Sequence, residues 1–179
     1  MAIYTQNLIL KTFGSMLERM PLEKITVTAL IKECNISRNT FYYHYKDIYA
    51  LLNDAVFTFL SQYKDAVKDD NWQESLKALL YACRDNKRKF YHVYNSLSRD
   101  HLDRLIFGRA DSFIASYIHR MADPKKAAPE RLEVIIDIVT YAVYGFMMRF
   151  FWNNMKDDIE ENVDKIGAVF EEMLDKLLL

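Results

Sequence analysis

The sequence predicts an all-α protein, and three of its features favour that fold class. The 179 residues include only 4 Gly and 3 Pro, too few for the frequent turns that an all-β fold needs. Apolar residues recur at the spacing of amphipathic helices, and no stretch keeps the alternation of a strand. The chain is 51% hydrophobic, which excludes a disordered chain because so much apolar surface can offset the entropy of folding.

The first predicted helix lies near the N-terminus and ends at Pro21, because proline has no N–H for a helical hydrogen bond. We expect Leu22 and Ile25, just after the proline, to pack beneath this helix. Its inner stripe follows the helical period and consists of Ile9, Phe13, Met16, Leu17 and Met20.

A second, short helix is predicted to begin after Thr26, because a threonine hydroxyl is a good N-cap. We expect Asn35 to end it, because asparagine tolerates the left-handed backbone conformation found after helix C-termini. The inner face of this helix consists of Val27, Leu30, Ile31 and Cys34.

A third helix is predicted to follow almost at once, with Ser37 as its N-cap and Ile36 as a buried anchor before it. Phe41 and Tyr45 are four residues apart and are therefore expected to point inward together. The residues left facing outward are Arg38, Asn39, Tyr42, Tyr43 and His44.

Helical patterns continue to the C-terminus. A fourth helix covers roughly 47–68, and later ones cover 72–86, 88–97, 100–120, 129–155 and 158–178. Residues 121–130 hold two of the three prolines and are predicted as the one long loop. We therefore divide the chain into a three-helix head, residues 1–46, and a larger helical body, residues 47–179.

The two short helices match the plan of a helix-turn-helix, in which the second helix enters the major groove of DNA. Short polar residues at the start of that helix suit phosphates, and longer side chains suit bases. Five consecutive helical positions, Phe41 to Tyr45, cannot all face one core, so the aromatic residues left outside predict a binding partner. Residues 1–50 are mildly basic, with six Lys and Arg against four Asp and Glu, which is compatible with a DNA contact.

Three motifs lie at characteristic distances from one another in and just after the head. They are Ile-Thr-Val at 25–27, Ile-Ser-Arg-Asn-Thr-Phe-Tyr-Tyr-His-Tyr-Lys-Asp at 36–47 and Leu-Leu at 51–52. Together they resemble the N-terminal signature of TetR-type transcriptional regulators, the TetR/AcrR family, over residues 5–56. Members of that family are dimeric DNA binders, usually repressors released by a small ligand in the helical body. The resemblance implies a homodimer on a palindromic double-stranded DNA operator, whose half-sites would lie about 34–36 Å apart.

Carried over by position, the resemblance implies ten DNA-binding residues. Thr26 and Thr28 would touch phosphates at the start of the second helix, and Lys46 would bind a phosphate near the fourth. The residues at the groove would be Ser37, Arg38, Asn39 and Thr40, with Tyr42, Tyr43 and His44 on bases and backbone. Two positions depart from the family pattern: Asn35 replaces a frequent glycine, and Ile48 replaces a frequent lysine that would contact a phosphate.

The body offers two further predicted sites. Apolar residues at helical spacing most often form a core, but the resemblance implies that the last two helices pair across a two-fold axis. The predicted dimer interface consists of Tyr141, Gly145, Met148, Trp152, Ile166, Phe170 and Met173. Aromatic and methionine side chains can also line a site for a small apolar or aromatic effector. The predicted effector pocket consists of Phe59, Tyr63, Tyr81, Tyr94, Phe107, Phe113, Tyr117, Tyr144 and Met147.

Other classes of protein have weaker support in the sequence. The four histidines lack metal-ligand or catalytic spacing, and there is no Gly-rich phosphate loop, so we predict neither an enzyme nor a cofactor. The most apolar stretch, Val134 to Trp152, contains Asp137 and Arg149, which favours a buried helix over a membrane span. We therefore predict a cytoplasmic protein with no membrane partner.

Three alternatives stay open at this point. Cys34 or Cys83 could act as a redox sensor, although neither has an activating cation or a resolving thiol nearby in sequence. The chain could be a helical protein-interaction module whose head has lost DNA binding. It could also be a family member that has no ligand or that activates transcription.

Overall fold

The computed structural model describes residues 2–64, 72–121 and 128–178, and these residues confirm the all-α prediction. They form nine α-helices, one short 3₁₀ helix and no β-strand. The chain comprises two compact units, Met1–Leu97 and Ser98–Leu179. The predicted division by function, residues 1–46 and 47–179, is a different boundary and stays a prediction.

The described part of the first unit contains six α-helices and a 3₁₀ turn, Leu22–Lys24, that joins the first two. The helices are α1 (Ala2–Arg19), α2 (Val27–Cys34), α3 (Arg38–His44), α4 (Ile48–Lys64), α5 (Trp72–Asp85) and α6 (Lys87–Tyr94). α1 packs against α2, α4 and α6, and is therefore the central helix of this unit.

α1 follows the predicted apolar stripe. Four of the five stripe residues are buried and the last is half-buried; in chain order they are Ile9, Phe13, Met16, Leu17 and Met20. The helix ends at Arg19, two residues before Pro21, as the missing proline N–H requires. Leu22 and Ile25 are buried, as expected.

The second unit contains α7 (Arg99–Met121), α8 (Pro129–Trp152) and α9 (Ile159–Leu178). α7 packs along α8, and Arg149 Nη2 on α8 donates a hydrogen bond to Asn162 Oδ1 on α9 at 2.9 Å. Ile159 and Val163, in the first half of α9, are buried. The core of this unit therefore draws on all three helices.

α8 is, among the described residues, the one helix that is long and apolar enough to cross a membrane by length and composition. A core helix of a soluble protein passes the same test. Ile135, Val139 and Phe150 are buried within the unit, which agrees with the predicted core helix.

The helix limits differ from the predicted ones by a few residues at most. α8 ends at Trp152, and not near residue 155, because Asn154 and Met155 take left-handed conformations with φ of 59° and 55°. The predicted continuation of the fourth helix to residue 68, and most of the predicted loop at 121–130, lie outside the described residues.

Candidate nucleic-acid interface

Two side-chain caps set the starts of α2 and α3. Thr26 Oγ1 accepts a hydrogen bond from the Ala29 N–H at 3.1 Å, and Ser37 Oγ accepts one from the Thr40 N–H at 3.0 Å. Between the two helices Asn35 takes a left-handed conformation, with φ of 53°. The predicted caps and turn are therefore present, and they produce helix-turn-helix geometry.

α3 has one buried and one exposed side, as predicted. Phe41 and Tyr45 are 0% and 5% exposed, whereas Tyr42 and Tyr43 are 48% and 78% exposed. A helix of seven residues is too short to be stable by itself. The inward rings hold it in place, and the outward rings are left on the surface of the protein.

The other predicted DNA-binding residues are also accessible. Arg38 Nη2 donates a hydrogen bond to Thr28 Oγ1 at 3.3 Å, which places the start of α3 beside the first turn of α2. The residues that are exposed are Thr26, Thr28, Ser37, Arg38, Asn39 and Lys46, and those that are half-buried are Thr40 and His44. Their part in DNA binding stays a prediction.

The capping hydroxyls retain a donor for a ligand. A hydroxyl oxygen that accepts a backbone N–H can still donate its own proton. The O–H of Thr26 can therefore reach a phosphate oxygen while the oxygen caps α2. Ser37 Oγ lies 2.8 Å from Thr40 Oγ1, so one of these two hydroxyls donates to the other and one O–H of the pair is left.

A polar cluster that the sequence did not predict holds the end of α3. Tyr45 is the C-cap of α3, and its hydroxyl donates to Asp54 Oδ2 on α4. Gln6 Nε2 on α1 donates to the same oxygen at 3.0 Å. Burial and the Asp54 hydrogen bond raise the pKa of Tyr45, so this hydroxyl keeps its proton and remains a donor.

Two isoleucines beside the helix-turn-helix, Ile36 and Ile48, are half-buried. Ile36 is half-buried, and not the fully buried anchor that we expected, because it lies in the turn, at the surface. Ile48 is half-buried at the start of α4, where Asp47 Oδ1 accepts the Ala50 N–H at 2.7 Å. A carboxylate in that position repels phosphate, so a phosphate contact here depends on the exposed Lys46.

The predicted dimer-interface residues range from exposed to buried. Tyr141 and Trp152 are 64% and 61% exposed. Gly145 and Ile166 are also exposed, and Phe170 and Met173 are half-buried. Met148 is 1% exposed and is covered within its own unit, although its spacing places it on the same face of α8 as Tyr141. Its assignment to a dimer interface stays a prediction.

Five exposed apolar residues of α8 lie along one face of the helix, in a row that the buried Met148 interrupts between Gly145 and Trp152. They recur at three-, four- and seven-residue intervals, so they share one face of the helix, and they are Val134, Ile138, Tyr141, Gly145 and Trp152. We call this set the outer row of α8. A Cβ atom at Gly145 would meet nothing within 4 Å. Exposed apolar surface of this kind indicates a binding face.

The predicted effector-pocket residues are divided between the two units. In the first unit Phe59, Tyr81 and Tyr94 are half-buried, and in the second unit Phe107 and Tyr144 are half-buried while Tyr117 and Met147 are buried. The side chains of Tyr63 and Phe113 lie outside the described residues. The effector pocket stays a prediction.

Within the second unit, an open cleft of about 530 Å³ lies on α7 and α8. It is lined by Asp103, Arg104, Phe107, Tyr141 and Tyr144. Phe107 makes ring contacts with both tyrosines, at centroid distances of 5.0 and 5.9 Å, and the Tyr144 hydroxyl donates to Asp103 Oδ1. Two of the predicted pocket residues therefore lie together, and Asp103 and Arg104 are additions that no sequence spacing pointed to.

The cysteines bear on the redox alternative. Cys34 and Cys83 are free and buried. Burial raises the pKa of Cys34, and it raises the pKa of Cys83 to about 12. Because the thiolate is the reactive form of cysteine, both thiols are held in their unreactive form at neutral pH, which argues against a redox sensor.

We therefore expect both thiols to resist Ellman's reagent in the folded protein at pH 8. Two equivalents of thiol per chain should react with the reagent only after denaturation, because unfolding exposes both thiols to solvent and returns their pKa values to the ordinary range. Absorbance at each stage gives the count, and rapid reaction of either thiol in the folded protein would return the redox sensor to consideration.

Comparisons with known proteins agree with this description. Residues 70–172 match a family model, TetR_C_8, described as a transcriptional regulator C-terminal region. No curated protein matches the chain. The dihydroxyacetone kinase operon activator DhaS has a similar structure, with a TM-score of 0.67 at 16% identity over 97% of both chains. A TerR/AcrR-family transcriptional regulator from Aquifex aeolicus VF5 has a TM-score of 0.57 at 16% identity, over 94% of this chain and 99% of that one.

The solved structures and the family model match different lengths of the chain. The solved structures share the fold, helix-turn-helix included, over nearly the whole chain. The family model covers more than half of the chain and lies wholly in the body, where the sequence alone carried no motif. Together with the helix-turn-helix of the head, this match establishes that the chain belongs to the TetR family of transcriptional regulators.

Proposed function

We propose that the protein is a cytoplasmic homodimeric repressor, which binds a palindromic DNA operator and is released from it by a small effector. The observation that carries the proposal is the division of α3 into an inward pair, Phe41 and Tyr45, and an outward pair, Tyr42 and Tyr43. Two large aromatic side chains on the surface of so short a helix need a partner. A DNA groove, with its sugars, phosphates and base edges, is the partner that this face fits.

Arg38 supplies the base-reading chemistry of this proposal. A guanidinium group can donate two parallel hydrogen bonds to the major-groove edge of guanine. In the free protein Arg38 makes a single 3.3 Å hydrogen bond to Thr28, which orients the side chain and is weak enough to exchange for a base. The hydroxyls of Thr26 and Thr28 then face the phosphates, together with Lys46.

The outer row of α8 supports the homodimer. A monomer leaves Ile138 and Tyr141 more than half exposed, and a second copy related by a two-fold axis would cover both. Two heads held in this way can read half-sites about 34–36 Å apart. Specific binding then depends on the separation of the heads as well as on each α3.

The proposed release is a population shift between two head separations. An effector can move this equilibrium only by its difference in affinity for the two states. The cleft lined by Phe107, Tyr141 and Tyr144 is a candidate for a small aromatic effector, because stacked rings are suitable walls for such a molecule.

Activation of transcription is the second candidate, because one of the similar structures bears the name of an operon activator. The two signs of regulation give opposite results in a reporter assay. Deletion of the protein raises expression from its operator if the protein is a repressor, and lowers expression if it is an activator.

The first test of the proposal is a gel-shift titration of wild-type protein against the DNA that flanks its own gene. We expect saturable binding that survives excess competitor DNA and weakens as salt rises, because phosphate contacts release counterions. Protein that has been unfolded and refolded without ligand should be used, so that a retained effector cannot hide the activity. No saturable binding by this refolded protein would favour the interaction-module alternative.

Tyr43→Ala tests the role of the exposed face of α3. We expect DNA affinity to fall by about tenfold or more, which corresponds to about 1.4 kcal/mol, while helicity and dimerisation stay unchanged because Tyr43 is 78% exposed. Gel-shift titration, circular dichroism and light scattering measure the three quantities.

The matched control is Phe57→Ala, which removes another exposed aromatic side chain of the same unit. Phe57 lies nine residues beyond the first residue of α4, about 13 Å along that helix. It should leave DNA affinity unchanged. Equal affinities for wild type and Tyr43→Ala would contradict the proposed interface.

A further inference from the structure

The Leu17 carbonyl, in the last turn of α1, has no partner within the helix, as is general for the last carbonyl groups of a helix. The carbonyl of Leu17 would normally accept the N–H of the residue four positions later. That residue is Pro21, which has no N–H, and the N–H of Met20 is used by Met16 at 3.0 Å. Leu17 is buried, so its carbonyl needs a donor from elsewhere in the protein.

His92 on α6 is that donor. Its Nδ1 atom lies 2.6 Å from the Leu17 carbonyl oxygen, and the two residues are 75 positions apart in sequence. A carbonyl oxygen can only accept, so Nδ1 must carry the proton. The hydrogen bond is therefore directional: α6 donates, and the last turn of α1 accepts.

A second contact joins the same two helices beside the first. Lys89 Nζ lies 2.7 Å from Glu18 Oε1, and this pair lowers the pKa of Glu18. Glu18 is 58% exposed in its side chain, and ion pairs this exposed contribute little because water screens them. Of these two polar contacts between the packed helices α1 and α6, the His92–Leu17 hydrogen bond is thus the stronger.

The N-terminal part of α1 is hydrogen-bonded to the same side chain as the C-terminal end of α3. Gln6, eleven residues before Leu17, donates to the same Asp54 carboxylate oxygen as Tyr45, the C-cap of α3. Eleven residues of α-helix span about 16 Å. α1 is therefore held by α6 at its C-terminal end and beside the end of α3 at its N-terminal end.

We propose that His92 is a positioning residue for DNA recognition, which sets the placement of α3 by holding the C-terminal end of α1 to α6. The inference rests on the proposed function and adds a second line of coupling to it. Whatever displaces α6 breaks or strains one hydrogen bond at the end of α1. α1 then moves, and α3 moves with it.

Three variants separate this role from simple support of the fold. His92→Phe keeps a planar ring and removes the donor. His92→Asn places an amide N–H at the same distance from Cβ as Nδ1, and should restore the hydrogen bond. Lys89→Ala removes the neighbouring ion pair with Glu18, along with the Lys89 hydrogen bond to Asn86, and is the matched control. If His92→Phe does not fold, His92→Gln takes its place, because its amide lies one bond further along the side chain.

The readout is the ratio of specific to nonspecific DNA affinity, measured by anisotropy titration on operator DNA and on random duplex, with the thermal midpoint of each variant. Nonspecific binding depends on charge and tolerates a misplaced helix, whereas specific binding requires α3 to fit its groove. We expect His92→Phe to lower specific affinity by about tenfold, equivalent to about 1.4 kcal/mol, with nonspecific affinity unchanged. His92→Asn and Lys89→Ala should match wild type.

Three results would overturn the inference. Unchanged specific affinity in His92→Phe would show that the contact positions nothing, and equal losses on both DNAs would show a structural role alone. Either outcome leaves the proposed function intact as long as wild type binds the operator. Absence of saturable binding by wild type would remove the proposed function, and this inference with it.

Discussion

Ile138→Asp is expected to convert the protein from a dimer to a monomer and to abolish operator binding at concentrations where wild type saturates. Ile138 is 51% exposed and lies in the outer row of α8, between Val134 and Tyr141. In a two-fold interface each substitution occurs twice, so two carboxylates would enter one apolar contact without partners. We expect a loss of about 3 kcal/mol or more in the free energy of dimerisation, because unpaired charges are costly to bury.

The effect on DNA binding follows from the geometry of two half-sites. A monomer presents one α3 and loses the advantage of having its second head already held near the DNA. The effect on the monomer itself should be small, because an exposed position accepts a charge at little cost. Loss of the dimer without loss of helicity is therefore the signature to look for.

Light scattering and sedimentation velocity measure the assembly state, and circular dichroism measures helicity. Glu133→Ala is the control, because Glu133 is exposed on the same helix but lies about 100° around it from Val134. It should remain a dimer. A dimer of unchanged size for Ile138→Asp would show that the outer row is not the interface.

The helix-turn-helix could be predicted from the sequence because its signals are local. Thr26 and Ser37 cap their helices by accepting backbone N–H groups three residues downstream, and Asn35 tolerates the left-handed conformation that ends α2. The inward positions of Phe41 and Tyr45 follow from a spacing of one helical turn. Each of these features depends on residues within four positions of one another, which is the range in which periodicity is informative.

Features that depend on distant residues could not be predicted in this way. Met148 has the same spacing as the residues of the outer row of α8 but lies in the core of its unit, since period alone does not say which edge of an apolar face is covered. The Tyr45–Asp54 contact and the His92–Leu17 contact join separate helices, and no pattern along the chain indicates them. The cleft on α7 and α8 likewise depends on how two helices pack.

Phe41→Ala is expected to destabilise the head by about 3–5 kcal/mol, the usual cost of replacing a fully buried phenylalanine with alanine. The Phe41 side chain has no exposed surface, and its ring contacts those of Tyr42 and Tyr45 at centroid distances of 5.4 and 6.0 Å. Removing it leaves a cavity beneath a helix of seven residues. So short a helix depends on packing for its existence, so we expect α3 to unfold locally and DNA binding to be lost.

Comparison with Tyr43→Ala separates the effect on stability from the effect on DNA binding. The two residues are two positions apart on the same helix, and one is fully buried while the other is 78% exposed. Urea denaturation should show a large loss of stability for Phe41→Ala and almost none for Tyr43→Ala, whereas gel shift should show weakened DNA binding for both. Phe41→Leu, which keeps an apolar side chain, should recover most of the stability and the DNA binding together. If Phe41→Ala kept wild-type stability, the buried ring would not be what holds α3 in place, and the position of α3 would have to depend on other contacts.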